Sequence, residues 1–434
     1  MHMPLLSEAD PSETSEGSLD PLGLYPLADE LGLKLVPGVR ERQSRPRFLT
    51  SIAVSLHVCA PFDPEQTAKD GTTEPWLVFE WLLAEGLVRS LGHDPQELIG
   101  LPGSQKVRQA IRDGVSMSTK RYLKTPSVFG FHGVYRLLAK TLDIESHGRL
   151  SEQGRELLSA WSEEQALPGF LEGTGDGATW LKLLRGAVQD GLDKGFIDKK
   201  PQWRGWDFFG EHLSVYGVGK REAKTMQRML LSGGTGFRRQ VLEFVASKEG
   251  DELLDTNEWS ERRFHTALKA RSGDDLATLL EAIEVYESFS RLMHDAFEDC
   301  LFELSNRKQR VGSVVLAEKP AVRRAAESLP RVFPVVRDRL GVINASSRFV
   351  DQFGQFFEPM GPKPFVETLL KHHETNQKRK PPHGKAAWFD RYDDGSVAVR
   401  PAYLRETGAI GGEEYVHRYR TGSLWMFAHD LKLV

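Results

Sequence analysis

Along most of the chain, apolar residues recur three and four positions apart. Short polar breaks rich in Gly, Pro, Asp and Ser interrupt them, the pattern of helices joined by loops. The clearest run is 237–304, where Leu276, Leu279, Leu280, Ile283 and Tyr286 keep helical spacing. Trp76 to Val88 is apolar nearly all round with Pro75 at its first turn, which predicts a buried helix. Phe48 to Leu56 is apolar but too short for periodicity to separate a strand from a buried helix. Further helices are expected from Ser104 to about Asp113, capped by Ser104 and stopped by Gly114, and from Ser127 to about Lys140. Another runs from Glu152 to Trp161, capped by Ser151. Residues 167–230 read as helical with breaks at 173–177 and at Pro201, and Pro320 and Pro330 bracket one more helix. A Pro- and Gly-marked linker at 358–364 precedes short strands, turns and a final helix, with Asp393-Asp394-Gly395-Ser396 as a hairpin turn. No fixed period repeats, which excludes a solenoid.

A chain of 434 residues is long enough for two to four domains and for a core without staples. Two cysteines, Cys59 and Cys300, can form neither an all-cysteine zinc site nor a disulfide framework. No apolar run approaches the roughly 18–20 residues of a membrane span, and the polar, acidic start is unlike a secretory signal. A cytoplasmic protein with no membrane partner is expected. The formal net charge of −4 excludes a uniformly basic, histone-like protein. That charge is unevenly spread. The first 30 residues hold seven acids and no Lys or Arg; taking their −7 from −4 leaves the other 404 residues at +3. Composition predicts that residues 1–30 form a disordered acidic tail that packs against little, either solubilising the chain or covering a basic face as a nucleic-acid mimic.

Residues 127–161 run SVFGFHGVYRLLAKTLDIESHGRLSEQGRELLSAW. A Ser146-His147-Gly148 turn separates Leu142-Asp143-Ile144-Glu145 from Arg149-Leu150, and Leu150-Ser151-Glu152-Gln153-Gly154-Arg155-Glu156-Leu157-Leu158 then opens a helix. The Ser151 hydroxyl can cap it, Gly154 permits close approach of the hairpin, and Leu157-Leu158 anchor the helix beneath. This block resembles the second half of a winged helix-turn-helix domain, with residues 104–161 as the module. The resemblance implies a DNA-binding role for the preceding helix.

Charge points the same way. From Ser104 to Lys140 there are Lys106, Arg108, Arg112, Lys120, Arg121, Lys124, Arg136 and Lys140 against one acid, Asp113. Ser116, Ser118, Thr119 and Tyr122 are interleaved as donors to phosphate oxygens. A second basic group lies in KHHETNQKRKPPHGKAAWFDR, residues 371–391, where Lys378, Arg379, Lys380 and Lys385 flank Pro381-Pro382 on a stiff arm beside Trp388-Phe389. His372, His373, Asn376 and His383 lie too close together for an HNH hairpin, and adjacent His rarely converge on one metal, so no metal or other cofactor is expected. Ser214-Val215-Tyr216-Gly217-Val218-Gly219-Lys220 lacks phosphate-loop spacing. Gly217, Val218, Gly219 and Ala223 resemble a helix-hairpin-helix turn, although an ordinary connection is the plainer reading.

The expected fold is mainly α and multi-domain, with an embedded winged-helix-like module and a small α+β C-terminal region. The expected domains are 1–30 (acidic tail), 47–165 (winged-helix-like), 166–310 (helical) and 311–434 (α+β). The expected function is a non-enzymatic nucleic-acid-binding subunit of a bacterial multi-protein system, antiphage defence being one setting. Double-stranded DNA and other protein subunits are the expected partners. The alternatives are a scaffold whose winged helix binds another subunit, and an unrecognised nuclease or hydrolase using His372, His373 and Asp390.

Overall fold

A computed structural model describes residues 20–434 except 64, 93–97, 99, 233, 235, 257, 258, 308, 309, 381 and 382. Most of the expected acidic tail, and Pro381-Pro382 of the expected arm, therefore lie outside the described residues. The architecture is mainly helical, with two small antiparallel strand pairs.

In chain order the elements are α1 Tyr25–Leu35, α2 Arg47–Cys59, α3 Pro75–Leu91, α4 Ser104–Arg112, α5 Pro126–Phe129, α6 Phe131–Thr141, β1 Glu145–Ser146, β2 Arg149–Leu150 and α7 Glu152–Glu164. Then come α8 Gly175–Lys194, α9 Gly205–Leu213, α10 Lys220–Leu231, α11 Arg238–Val245, α12 Lys248–Leu254, α13 Glu261–Lys269 and α14 Asp274–Arg307. The chain closes with α15 Ser313–Ala317, α16 Pro320–Val342, α17 Ser346–Phe353, α18 Pro362–Arg379, β3 Phe389–Arg391, β4 Val397–Val399 and α19 Thr421–Asp430. Among the described residues no helix is long and apolar enough to cross a membrane.

The chain divides by spatial contact into two compact units. The first takes the described residues within Met1–Gly32 and Glu258–Tyr419, the second Leu33–Asn257 with Arg420–Val434. Each unit joins segments far apart in sequence, which composition along the chain cannot reveal.

In the second unit α2 is the central helix. Phe48, Leu49, Ile52, Ala53, Val54 and Val58 are fully buried against α6, α7, α8 and α3. Burial of each large side chain is worth about 1.5–3 kcal/mol, which settles Phe48–Leu56 as helix. The expected apolar helix is α3, buried from Leu77 to Val88 with Pro75 in its first turn. Its buried Glu80 explains why the helix expected over 127–140 is two. The chain is extended at Gly130, between α5 and α6, where any Cβ would lie 2.0 Å from Glu80 Oε1. Ser104 is the first residue of α4; the cap is Gly103. The β1–β2 hairpin pairs Glu145 with Leu150 and Ser146 with Arg149. His147 and Gly148, both at positive φ (50° and 75°), make its two-residue turn. Ser151 Oγ accepts from Gly154 N at 3.2 Å, as expected. A Cβ on residue 154 would stand 2.3 Å from Ile144 O, so the hairpin lies against the start of α7 only because that residue is glycine.

In the first unit α14 pairs with α16, and α17 and α18 pack on α16. Pro330 does not end α16; it and Pro334 lie inside it. Leu329, Phe333, Val336 and Leu340 keep a continuous buried face, and that packing outweighs the two missing backbone hydrogen bonds.

The expectation that residues 1–30 pack against little fails for residues 20–30. Leu22, Leu24, Leu27 and Ala28 are buried. Asp20 caps α1, its carboxylate accepting from Leu24 N and Tyr25 N at 3.0 Å each. Acidic composition concealed a short apolar stripe and a cap.

Candidate nucleic-acid interface

Helix α4 is held by its inner face, where Val107 and Ala110 are buried and the helix packs on α3. The following loop is tied down at two points. Ile197 N donates to Met117 O at 3.0 Å, and the buried Tyr122 hydroxyl donates to Glu80 Oε1 at 2.7 Å. Between these ties, Arg121 N and Tyr122 N both donate to Ser118 O, a tight turn that leaves Lys120 and Arg121 exposed. Tyr122 is thereby consumed internally and does not serve as the expected phosphate donor.

Lys106, Arg112, Lys120, Arg121 and Lys124 are exposed and Arg108 is half-buried. Asp113, the one acid of this block, instead accepts from the Gln109 amide at 2.9 and 2.8 Å. Arg108 and Arg112, one helical turn apart, line an open groove of about 530 Å³ with Val88, Arg89, Ile111 and Pro201. Arg89 is already held by Glu85, at 2.9 and 2.7 Å, but Arg108 Nη2 is buried with no hydrogen-bond partner among the described residues. A planar guanidinium with spare donors suits an oxyanion such as phosphate, two of whose oxygens it can meet at once.

Arg136 leaves the expected set. Its guanidinium grips Glu145 on β1, with Nε donating at 2.8 and 3.0 Å, and Lys140 Nζ lies 3.9 Å from the same carboxylate. Glu145 is itself buried, so this cation fastens the hairpin to α6. The charge excess seen from Ser104 to Lys140 stops five residues short of the acid that neutralises it.

The first part of the segment 371–391, through Arg379, is helix rather than an extended arm. Lys371 to Arg379 belong to α18, whose side chains clamp residues 20–22. His372 Nε2 donates to Leu22 O at 2.8 Å while Nδ1 accepts from the Gln355 amide at 2.7 Å. His373 Nδ1 donates to Pro21 O at 2.9 Å while Nε2 accepts from Trp388 N at 3.0 Å. Each ring gives one proton and takes one, the requirement of a neutral imidazole. Burial lowers both pKa values, that of His373 to about 3. Lys380 Nζ donates to Asp20 O at 2.6 Å, and burial with Lys385 nearby lowers it to about 8. Lys380 is therefore a structural cation; Lys378 and Arg379 are exposed and Lys385 is half-exposed. Asp390 is held by Arg400 at 2.9 Å. His372, His373 and Asp390 are thus committed to separate partners rather than to one reaction centre.

The hairpin-like turn before α10 is also occupied. Glu164 accepts from Arg221 N at 2.7 Å and Glu222 N at 3.0 Å, taking the helix-terminal amides that a phosphate would need.

Among the buried carboxylates that escaped the sequence reading are Glu80 and Glu287. Glu80 announces itself only as an acid inside an apolar run. Glu287 of the first unit accepts from Val416 N, His417 Nδ1 and the Tyr419 hydroxyl at 2.6, 2.8 and 2.6 Å. Burial pushes Glu287 up, but His417 and these bonds outweigh it and hold the carboxyl below its ordinary value. Its partners lie 129 residues and more away. Among the described residues no group of three or more His, Cys, Asp or Glu could hold a metal ion. Compared with known proteins, the chain matches no family model, no curated protein and no solved structure.

Proposed function

We propose that this protein is a non-enzymatic nucleic-acid-binding protein that contacts duplex phosphates through α4 and the loop after it. One observation carries the reading. Lys106, Arg108, Arg112, Lys120, Arg121 and Lys124 form no salt bridge with any described residue, whereas Arg136 and Arg89 beside them do. Unneutralised cations held on an ordered scaffold raise the local potential without a folding role to explain them. Arg108 and Arg112 suit bidentate phosphate contact, and Lys120, Arg121 and Lys124 suit point-charge contact.

The test is duplex binding by fluorescence anisotropy across a salt series. Replacing Lys120, Arg121 and Lys124 together by Ala lowers the slope of log affinity against log salt by about 2.7, about 0.9 per lost phosphate contact. A folded triple variant that binds duplex DNA like the parent overturns the reading and moves this face to protein contact.

A further inference from the structure

A cavity of about 130 Å³ lies within the second unit, between the C-terminal end of α2, the start of α3, α6 and the tip of the β1–β2 hairpin. Leu56, Ala60, Phe62, Pro75 and Trp76 give it apolar walls, and Gly148 and Arg149 of the hairpin stand at its rim. Two further lining side chains do not fit an apolar pocket. Ser55 is 1% exposed and His132 4% exposed, yet His132 Nδ1 has no hydrogen bond among the described residues and Ser55 Oγ meets only the Cys59 thiol, a weak partner. An unpaired buried group costs about 1–3 kcal/mol, a cost that Phe at position 132 would avoid. The imidazole is nevertheless held in place. It stacks on Trp76 with ring centroids 4.9 Å apart, and its main-chain N–H donates to Glu80 Oε2 at 3.0 Å.

We propose that this cavity binds a neutral, single-ring heteroaromatic molecule whose edge carries both a hydrogen-bond donor and an acceptor, the chemistry of a pyrimidine base. Size sets the ring count, because a cavity of about 150 Å³ holds one benzene ring. Two neutral polar groups set the polarity, because a hydrocarbon would leave the His132 nitrogen unpaired and the Ser55 hydroxyl with only a thiol as partner. The surroundings disfavour an ion. Burial holds the His132 imidazole neutral, lowering it to about 3, and pushes the lining Cys59 thiol up to about 12. At the rim, Arg136 is neutralised by Glu145, Glu74 accepts from Trp76 Nε1 at 2.5 Å, and Arg149 and Asp63 are of opposite sign. The ring could arrive as a free base or as a base unstacked from a single strand. The cavity does not depend on the phosphate-binding reading of α4.

The experiment is isothermal titration of the full chain with uracil, with adenine as the two-ring control and toluene as the apolar control. Uracil binds saturably at one site, and adenine and toluene bind at least about tenfold more weakly. Ser55→Ala and His132→Phe each weaken uracil binding by about tenfold, the worth of one hydrogen bond, while neither melts appreciably below the parent, because the first removes a hydroxyl bonded only to a thiol and the second an unpaired buried nitrogen. That opposition of lost binding and retained stability separates a ligand site from a packing defect, and Ser55→Ala keeps the test open if the Phe variant fails to fold. Competition between uracil and oligothymidylate identifies a strand-borne base; uracil binding without competition identifies a free one. Replacing Lys120, Arg121 and Lys124 leaves uracil binding unchanged, so failure of the phosphate reading is seen separately. Absence of saturable uracil binding up to about 10 mM, or unchanged binding in folded Ser55→Ala, overturns the proposal.

Discussion

Glu80 sits on an apolar helix with only the Tyr122 hydroxyl, the His132 amide and the Phe131 amide to solvate it, and burial raises its pKa from 4.5 to about 7. Between those values the folded state keeps a proton that the unfolded state has lost. Its contribution is therefore complete below about pH 4.5 and disappears as pH rises through 7, a difference of roughly 3 kcal/mol. Glu80→Gln keeps the shape without the charge. It should melt like the parent at pH 5 and several degrees higher at pH 8; equal melting at both pH values would mean that the carboxyl is not strained by ionisation. A second residue-scale test concerns the buried pair Arg47–Glu222, 2.9 Å apart with both side chains fully buried. Arg47 also donates to His212 O at 2.7 Å, and Glu222 accepts from the Thr50 hydroxyl at 2.5 Å. Removing one partner strands the other charge, so Glu222→Ala should cost about 3–5 kcal/mol in urea denaturation. Joint replacement by Arg47→Met and Glu222→Leu should cost less than Glu222→Ala alone. If the double variant is the less stable, the pair contributes more than its desolvation costs.

At the scale of elements, α18 is better understood as a clamp than as a charged surface. Its inward positions His372, His373, Asn376 and Gln377, and Lys380 just after its end, all meet the backbone of residues 20–22. Lys378 and Arg379 point outward. The four cations at 378, 379, 380 and 385 therefore do not behave alike. Neutral replacement of Lys378 and Arg379 should alter stability by no more than about 0.5 kcal/mol. His373→Phe strands Trp388 N and removes one of three donors to Pro21 O, and should cost about 1–3 kcal/mol and open the chain near residue 20 to limited proteolysis. An unchanged cleavage pattern in that variant would contradict the clamp. The hairpin element is the contrasting case. Its turn, its cap at Ser151 and its close approach at Gly154 were legible in the sequence because all three act within a dozen residues. Its fastening by Arg136 was not, although Glu145 follows only nine residues on, because a cation's role depends on where the strand that carries the acid is placed in space.

At the scale of the whole molecule, the two units differ in how their buried groups titrate. In the first, Glu287, Asp295 and Glu303 are held below the usual carboxyl value. The chief cause for Glu303 is its bonds from Lys319 and Arg307; for Asp295, His294 and Arg291 outweigh burial. Burial lowers His372 and His373 too. All five contribute stability present above their unfolded pKa values and lost as pH falls. In the second unit burial raises Glu80, Glu85, Glu222 and Asp430, whose contributions are lost as pH rises instead. There they oppose the lowered His57, His132 and His212. Hydrogen exchange at pH 7 and pH 4 should therefore find the first unit losing protection before the second. Earlier loss in the second unit would show that its three lowered histidines outweigh the four carboxyls.

By itself the sequence determined what local interactions decide. Apolar spacing made the chain helical, Pro75 and Ser151 set helix starts, and the His147-Gly148 pair set a turn, because propensity, capping and side-chain period act over a few residues. It also marked the cations of α4 and the following loop. Only the tertiary structure decided which cations remain available. Coulomb and hydrogen-bond partners act through space, so Glu145 removes Arg136 and the Asp20 carbonyl removes Lys380, while Lys120 and Arg121 meet no acid among the described residues. The two adjacent histidines became a clamp for the same reason, since their partners Pro21 and Leu22 lie some 350 residues away along the chain. The cavity at Ser55 and His132 existed in no window of sequence, because its walls come from helices whose adjacency is set by burying apolar area in three dimensions.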